Sequence, residues 1–214
     1  AAILWLMVLG VWAIAQTKPL ATAQDIDALL AEARALMPDL KLAEAKLAFD
    51  RALEAALRLG LLPQQASALC GIGQVHLVEA KYVEGRTFGL RCLELAEQVG
   101  APFPIGAAND LLAHIAVLSV DFPEAQARSR RAIAAFEAAG NRAGKATAEL
   151  RLLNSRPQLA PGEAERLLAN AVEDARAGHD RTVEATALHP WADALFSRGA
   201  YDAAYDKLEQ ARAI

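Results

Sequence analysis

Apolar residues recur along this chain with the spacing of amphipathic helices, and the helices themselves repeat about every 40 residues. From residue 25 onward the pattern predicts two alternating kinds of helix, A and B. Helix A is predicted over Ile26–Met37, Ala66–Glu79, Gly106–Val120, Lys145–Asn154 and Ala185–Ser197. Helix B is predicted over Leu42–Leu59, Val83–Val99, Pro123–Ala139, Gly162–Ala177 and from Asp202 to the end. Repetition at this period predicts an all-α solenoid of antiparallel helix pairs.

Glycines and small side chains keep the same period. Gly60, Gly100, Gly140 and Gly178 follow successive B helices, at or near the position where a left-handed residue ends a helix. Within helix B, small residues form two series that lie seven residues apart, so both series fall on one helix face. The two series are Ala45, Gly85, Ala125, Ala164, Ala204 and Ala52, Cys92, Ala132, Ala171, Ala211. We expect these positions to let neighbouring helices approach closely.

The first 24 residues do not follow this period. The segment from Ala1 to Ala15 is apolar and uncharged, which is short for a membrane-spanning helix but suits the hydrophobic region of a signal peptide. Small residues at Ala13–Ala15 and Ala21–Ala23 offer cleavage sites, although no Met or basic region precedes Ala1. We therefore predict a signal peptide or membrane anchor over 1–24 and a repeat domain over 25–214. A buried helix of a preceding unit is the alternative for the first segment.

Composition narrows the class of protein. Hydrophobic residues make up 54% of the chain and aromatic residues 6%, and the abundance of Ala and Leu favours helix throughout. The net charge is −4 with both signs interleaved, and without a Lys/Arg block the sequence gives no electrostatic basis for binding nucleic acid. Cys70 and Cys92 form no CxxC pair, so we interpret them as two small buried side chains rather than a zinc site. A disulfide between them would require an oxidising compartment.

The repeat resembles the tetratricopeptide repeat (TPR), in which small and aromatic residues recur at fixed positions of a helix pair. The second unit fills those positions with Leu69, Ile72, Gly73, His76, Tyr82, Gly85 and Cys92. The fifth unit fills them with Leu188, Trp191, Ala192, Leu195, Gly199, Tyr201, Ala204, Leu208 and Ala211. The first and third units match at Leu29, Ala33, Leu36, Leu42, Ala45, Phe49, Ala52, Leu112, Ala113, Phe122, Ala125 and Ala132. The resemblance implies a right-handed superhelical solenoid of about five units.

The chain departs from the family pattern in three ways. Its period is near 40 rather than 34, as in the longer repeats of bacterial regulators. In the fourth unit Ser155-Arg156-Pro157 shortens helix A and Pro161 replaces an aromatic residue, which predicts a kink or altered surface at 155–162. The fifth unit stops inside helix B, so we expect the native protein to continue past Ile214.

The sequence contains no recognisable catalytic, cofactor-binding or metal-binding constellation. The segment at Ala143–Thr147 is not a phosphate-binding loop, because Ala139 stands where the first glycine is required and Ala146 follows Lys145 where Ser or Thr is required. Gly71–Gly73 lies inside a helix, where it indicates packing. Asp110 and His114, four residues apart on one helix face, are interpreted as a surface pair. His189-Pro190 is placed early in its helix. We therefore predict that these residues form no enzyme and need no cofactor.

The TPR resemblance places particular helix A residues on a concave, partner-binding face. They are Ser67, Cys70, Gln74 and Leu77 in the second unit, Asp110, His114 and Val117 in the third, and Thr186, His189, Asp193 and Phe196 in the fifth. This mixed and mildly acidic surface favours a peptide or protein ligand, although it could equally stack on another domain.

Two functional hypotheses follow. The first is an exported (periplasmic or extracellular) or membrane-anchored scaffold that binds a protein partner through its concave face; it would be cytoplasmic if residues 1–15 are not a leader. The second is a regulatory or sensory domain of a larger bacterial signalling protein, such as a caspase-like protease, a sensor kinase or a transcription regulator, with its effector beyond Ile214.

Overall fold

The structure is a computed structural model that describes Leu20, residues 22–156, residue 159 and residues 161–214. Within these ranges the chain forms ten α-helices and no β-strand. The helices are α1 (Ala23–Ala35), α2 (Leu42–Leu59), α3 (Leu62–Val78), α4 (Tyr82–Val99), α5 (Pro102–Leu118), α6 (Phe122–Ala138), α7 (Arg142–Asn154), α8 (Pro161–Ala177), α9 (Arg181–Ser197) and α10 (Tyr201–Arg212). The predicted alternation of A helices (α1, α3, α5, α7, α9) and B helices (the even numbers) is confirmed.

The A helices begin earlier than the sequence pattern predicted, whereas the B helices begin within a residue of the prediction. The starts of α3 and α5 were predicted too late because the prolines before them suggested a link. Pro63 and Pro102 instead lie in the first helical turn, where the N–H that proline lacks has no partner within the helix. Asn141 and Asp180 cap α7 and α9 by accepting hydrogen bonds from the backbone N–H of Gly144 and Val183. Because α9 starts at Arg181, Pro190 lies in its interior and not near its start. The early placement of His189-Pro190 was therefore wrong.

The A helices form the inner layer of the array. Each A helix packs against the A helices of the neighbouring units, whereas the described B helices do not pack directly on one another and are linked across units by long side chains, as in the Arg86–Glu124 ion pair between α4 and α6. Every B helix instead packs between two A helices that are adjacent in the sequence, except α10, which packs against α9. The row of A helices is therefore the shorter one, and it lines the concave side.

Small side chains allow the close helix contacts that the two series predicted. Ala45, Ala125 and Ala132 are fully buried. At the second unit, a Cβ atom placed on Gly73 of α3 would lie 3.2 Å from the Gly85 carbonyl oxygen of α4. The two backbones are therefore too close for larger side chains, and the interpretation of these residues as packing positions is confirmed.

The turns after the B helices follow the predicted glycines in three units of four. Gly60, Gly100 and Gly140 have φ angles of 69°, 63° and 64°. After α8 the left-handed residue is His179, with φ of 56°, and not Gly178. Gly178 is needed for a different reason, because a Cβ there would lie 2.6 Å from the backbone nitrogen of Ala143.

The fourth unit is irregular, as predicted. Its A helix α7 has 13 residues, whereas α3 and α5 have 17 each. The chain leaves α7 at Ser155, which is fully buried and whose hydroxyl donates to the Leu152 carbonyl at 2.7 Å. Pro157, which contributed to that prediction, lies outside the described residues.

The predicted leader at 1–15 also lies outside the described residues. Helix α1 begins at Ala23, two residues before the predicted start of the repeat domain. Thr22 and Asp25 form a reciprocal capping box at this end. None of the described helices combines the length and apolarity that crossing a membrane requires.

Candidate functional site

A cavity of about 290 Å³ opens on the concave face of the A helices. Its walls come from all five units, and we call it the central cavity. Its lining residues are Arg34, Ser67, Cys70, Gly71, Gln74, Phe103, Ala107, Asp110, Phe136, Asn141, Ala143, Gly144, Thr147 and Asp180. Aromatic rings and polar groups therefore face the same space, as in ligand-binding clefts in general.

Glycines in two A helices let a B-helix aromatic ring reach this cavity. A Cβ on Gly106 of α5 or on Gly144 of α7 would lie 2.7 or 2.8 Å from the ring of Phe136. The ring therefore fills the gap between the two helices, and it meets Phe103 edge-on at a centroid distance of 6.1 Å. Together these rings make the apolar wall of the central cavity.

A second cavity of about 310 Å³ lies beside the first, toward the C-terminal ends of the A helices. We call it the edge cavity. Its lining residues are Met37, Gln74, Leu77, Val78, Asp110, Leu111, His114, Leu118 and Arg151. Gln74 and Asp110 line both cavities, so the two form one continuous surface across α3 and α5.

An ion pair between neighbouring units lies at the junction of the two cavities. Arg151 Nε of α7 is 3.5 Å from Asp110 Oδ1 of α5, and both side chains are largely buried. The predicted surface pair between Asp110 and His114 was therefore wrong, since Asp110 pairs with a residue from the next unit. Burial, and then the nearby Arg151 charge, lower the pKa of His114 to about 4, so this imidazole is neutral at pH 7.

Cys70 and Cys92 are joined by a disulfide, with Cα atoms 5.3 Å apart. Both residues are buried, as the sequence analysis expected, and the bond between them, which the sequence left open, is formed. The bond ties α3 to α4, the two helices of the second unit. Twenty-two residues of sequence separate the cysteines, and only the antiparallel packing of this helix pair brings them to bonding distance.

The structure gathers some of the predicted groove residues and separates others. Ser67, Cys70, Gln74, Leu77, Asp110 and His114 line the central or edge cavity. Val117 is half-buried and is not among the lining residues of either cavity. Thr186, His189, Asp193 and Phe196 are exposed on α9, and they too are not among those lining residues. Binding of a partner by any of these residues stays a prediction.

The sequence analysis missed several residues of the concave surface, above all Arg34, Phe103, Phe136, Thr147 and Arg151. A signal for Arg34 was present, since it lies 40 residues before Gln74 and 80 before His114, at the same register of helix A. Phe136 carried no such signal, because it belongs to a B helix and enters only through the gap beside two glycines.

The described residues show no metal-binding chemistry on this surface. No group of three or more His, Cys, Asp or Glu side chains is arranged within them to hold a metal ion. The surface offers hydrogen-bonding groups, an ion pair and aromatic rings, which suit the binding of a ligand with both polar and apolar groups.

Comparison with known proteins identifies the fold. The structure resembles the crystal structure of a putative kinesin light chain from Podosopora anserina with nearly identical TPR-like repeats, with a TM-score of 0.57 and 15% sequence identity. The match covers 88% of this chain and 93% of that one. No family model and no curated protein matches the sequence. The chain therefore has a TPR-like helical repeat fold, as the sequence resemblance predicted.

Proposed function

We propose that this protein is a scaffold that binds a peptide segment of a protein partner on the concave face of its repeats. The continuity of the central and edge cavities across α3, α5 and α7 carries the proposal. The surface is elongated, it combines apolar and polar groups, and several units contribute to it, which suits an extended or helical segment better than a compact small molecule.

The ligand can be sought by selecting peptides from a random displayed library against the immobilised chain. Selected peptides should lose binding to a Thr147→Trp variant, because the indole would occupy the central cavity. A Gln98→Trp variant is the matched control, since Gln98 lines a groove between α2 and α4 on the convex side. Equal loss or equal retention of binding in the two variants would refute binding at the concave face.

We further propose that the protein folds in an oxidising compartment, reached by export. The Cys70–Cys92 disulfide supports this, since such bonds are rare in reducing cytosol. The apolar segment 1–15 supports it independently, as a candidate leader or anchor.

The compartment can be tested in cells that produce the protein from its native gene. Acid quenching followed by alkylation under denaturing conditions should label neither cysteine until a reductant is added. Full labelling without reductant would contradict folding in an oxidising compartment.

A further inference from the structure

Arg34 is an arginine on the concave face, in the wall of the central cavity. Its guanidinium carbon lies 4.8 Å from the ring centroid of Phe103, so the side chain reaches from α1 of the first unit to α5 of the third. Within the described ranges, Arg34 has no ion pair and its side chain has no hydrogen bond. The guanidinium therefore faces the central cavity with its N–H groups available.

Asp27, the acidic group that acts on Arg34, is engaged elsewhere. Asp27 lies on the same helix and is the carboxylate that raises the pKa of Arg34, but it accepts a hydrogen bond from the Gln64 side chain at 3.2 Å. Burial is the larger influence on Arg34, and it lowers the pKa of the guanidinium below its usual value. The group stays charged at pH 7 but is incompletely compensated, because removal from water costs more than its neighbour returns.

Hydrogen-bonding groups without partners lie on the same cavity wall. Ser67 and Gln74 of α3 line the central cavity together with Arg34, and neither side chain has a hydrogen-bond partner among the described residues. By contrast, Thr147 donates to the Ala143 carbonyl, and Asn141 caps α7. The free groups are therefore concentrated between α1 and α3, beside the guanidinium.

We infer that this corner of the central cavity, formed by Arg34, Phe103, Ser67 and Gln74, is a subsite for a carboxylate side chain of the bound peptide. The planar guanidinium offers N–H groups in the fork that matches a carboxylate, and the Phe103 ring holds it in one orientation. Ser67 and Gln74 donate further hydrogen bonds to the same anion. The inference rests on the proposed function and adds the chemistry of the ligand.

The peptide selection described above tests this subsite when it is repeated with an Arg34→Gln variant. Peptides selected on the native chain should be enriched in Asp or Glu, and those selected on the variant should not. Replacing the acidic residue of one selected peptide by its amide should weaken binding to the native chain about tenfold or more, and leave binding to the variant nearly unchanged. Arg91→Gln is the matched control, because Arg91 also lies over a phenylalanine ring, at 5.8 Å from Phe88, but is exposed on a B helix.

The outcomes separate the subsite from the proposed function. Peptides that lose binding to Thr147→Trp but show no acidic enrichment would overturn the subsite and leave the concave binding face intact. Peptides that bind Thr147→Trp normally would contradict the proposed function itself.

A second measurement needs no selected peptide. N-acetylglutamate amide, titrated into the folded chain, should shift the ring signals of Phe103 in NMR spectra. The shifts should saturate in the millimolar range, which corresponds to a binding free energy of about −4 kcal/mol. The same shifts should be absent with N-acetylglutamine amide and absent in Arg34→Gln. Equal responses to the acid and the amide, or no response to either, would overturn the subsite.

Discussion

The second and fourth units hold their helices together by different means. In the second unit, glycines let aromatic rings and backbones pack directly, and a disulfide joins the helix pair. A Cβ on Gly71 would lie 2.3 Å from the Phe49 ring, so no space remains there. In the fourth unit, the docking of α7 on α8 includes buried charge: Asp174 has a side chain 5% exposed and pairs with both Arg142 and Lys145.

The fourth unit also buries a carboxylate that lacks full compensation. Glu149 of α7 is buried, and its Oε2 has no hydrogen-bond partner among the residues that the structure describes. The comparison shows that helix pairs of the same architecture can be held together either by close packing of small side chains or by paired charges. The first means leaves no room for added volume at Gly71, and the second makes the stability of the fourth unit depend on pH.

The largest expected effect is from filling the glycine contact of the second unit. Gly71→Val should destabilise the chain by about 3 kcal/mol, because the new side chain collides with Phe49 and forces α2 and α3 apart. Gly162→Val is the matched control in the fourth unit, where an added Cβ meets nothing within 4 Å. Its free energy of unfolding in urea should change by about 0.5 kcal/mol or less. Similar losses of stability in both variants would show that the collision with Phe49 is not what destabilises Gly71→Val.

Breaking the disulfide comes next. The double variant Cys70→Ala, Cys92→Ala should lose about 3 kcal/mol, the amount expected for a cross-link across 22 residues. Complete reduction should bring the native chain to a similar stability, while reductant should leave the double variant unchanged. A native chain whose urea midpoint does not move on full reduction would contradict the prediction.

Removing the buried acid of the fourth unit should have a somewhat smaller effect. Asp174→Ala should cost about 2 kcal/mol, because Arg142 and Lys145 lose their partner but can still reach water. Glu173→Ala is the control: Glu173 also pairs with Arg142, at 3.5 Å, but its side chain is 78% exposed. That pair should contribute less than about 0.5 kcal/mol. Equal losses in thermal unfolding would mean that burial does not distinguish the two pairs.

The smallest predicted effect is a dependence of stability on pH. Burial, and then the charge of Asp174, raise the pKa of Glu149 from 4.5 to about 7. The folded chain therefore keeps a proton that the unfolded chain releases near its ordinary pKa, so the stabilisation is complete below about pH 4.5 and is lost as the pH rises through 7. Between pH 5 and pH 8 the free energy of unfolding should fall by on the order of 1–2 kcal/mol, with water at the edge of the cluster screening part of the charge.

Comparison with Glu149→Gln isolates this contribution. The His114 imidazole, whose pKa is lowered, acts in the opposite sense, and its stabilisation is lost as the pH falls toward 4. Because His114 is present in both proteins, the difference between their pH profiles reports Glu149 alone. Glu137→Gln, which removes an exposed carboxylate from α6, should keep most of the native slope. A difference profile that is flat from pH 5 to 8 would refute the assignment.

The sequence by itself determined the repeating architecture. Helix spacing, left-handed glycines and two series of small residues all follow from local geometry, so period, helix order and the weak fourth unit could be read without the fold. It also indicated part of the concave face, because register within a repeat is preserved from one unit to the next. Gln74, Asp110 and His114 were found in this way.

Only the tertiary structure decided which residues from different helices meet. The Cys70–Cys92 bond joins the two helices of the second unit, whereas the Asp110–Arg151 pair and the placement of Arg34 over Phe103 join helices of different units. Such contacts depend on how closely two helices approach and how the array curves, and these quantities are set by the sum of many packing contacts rather than by a local pattern. The sequence therefore specified the repeat, and the packing between repeats created the cavity in which the proposed ligand binds.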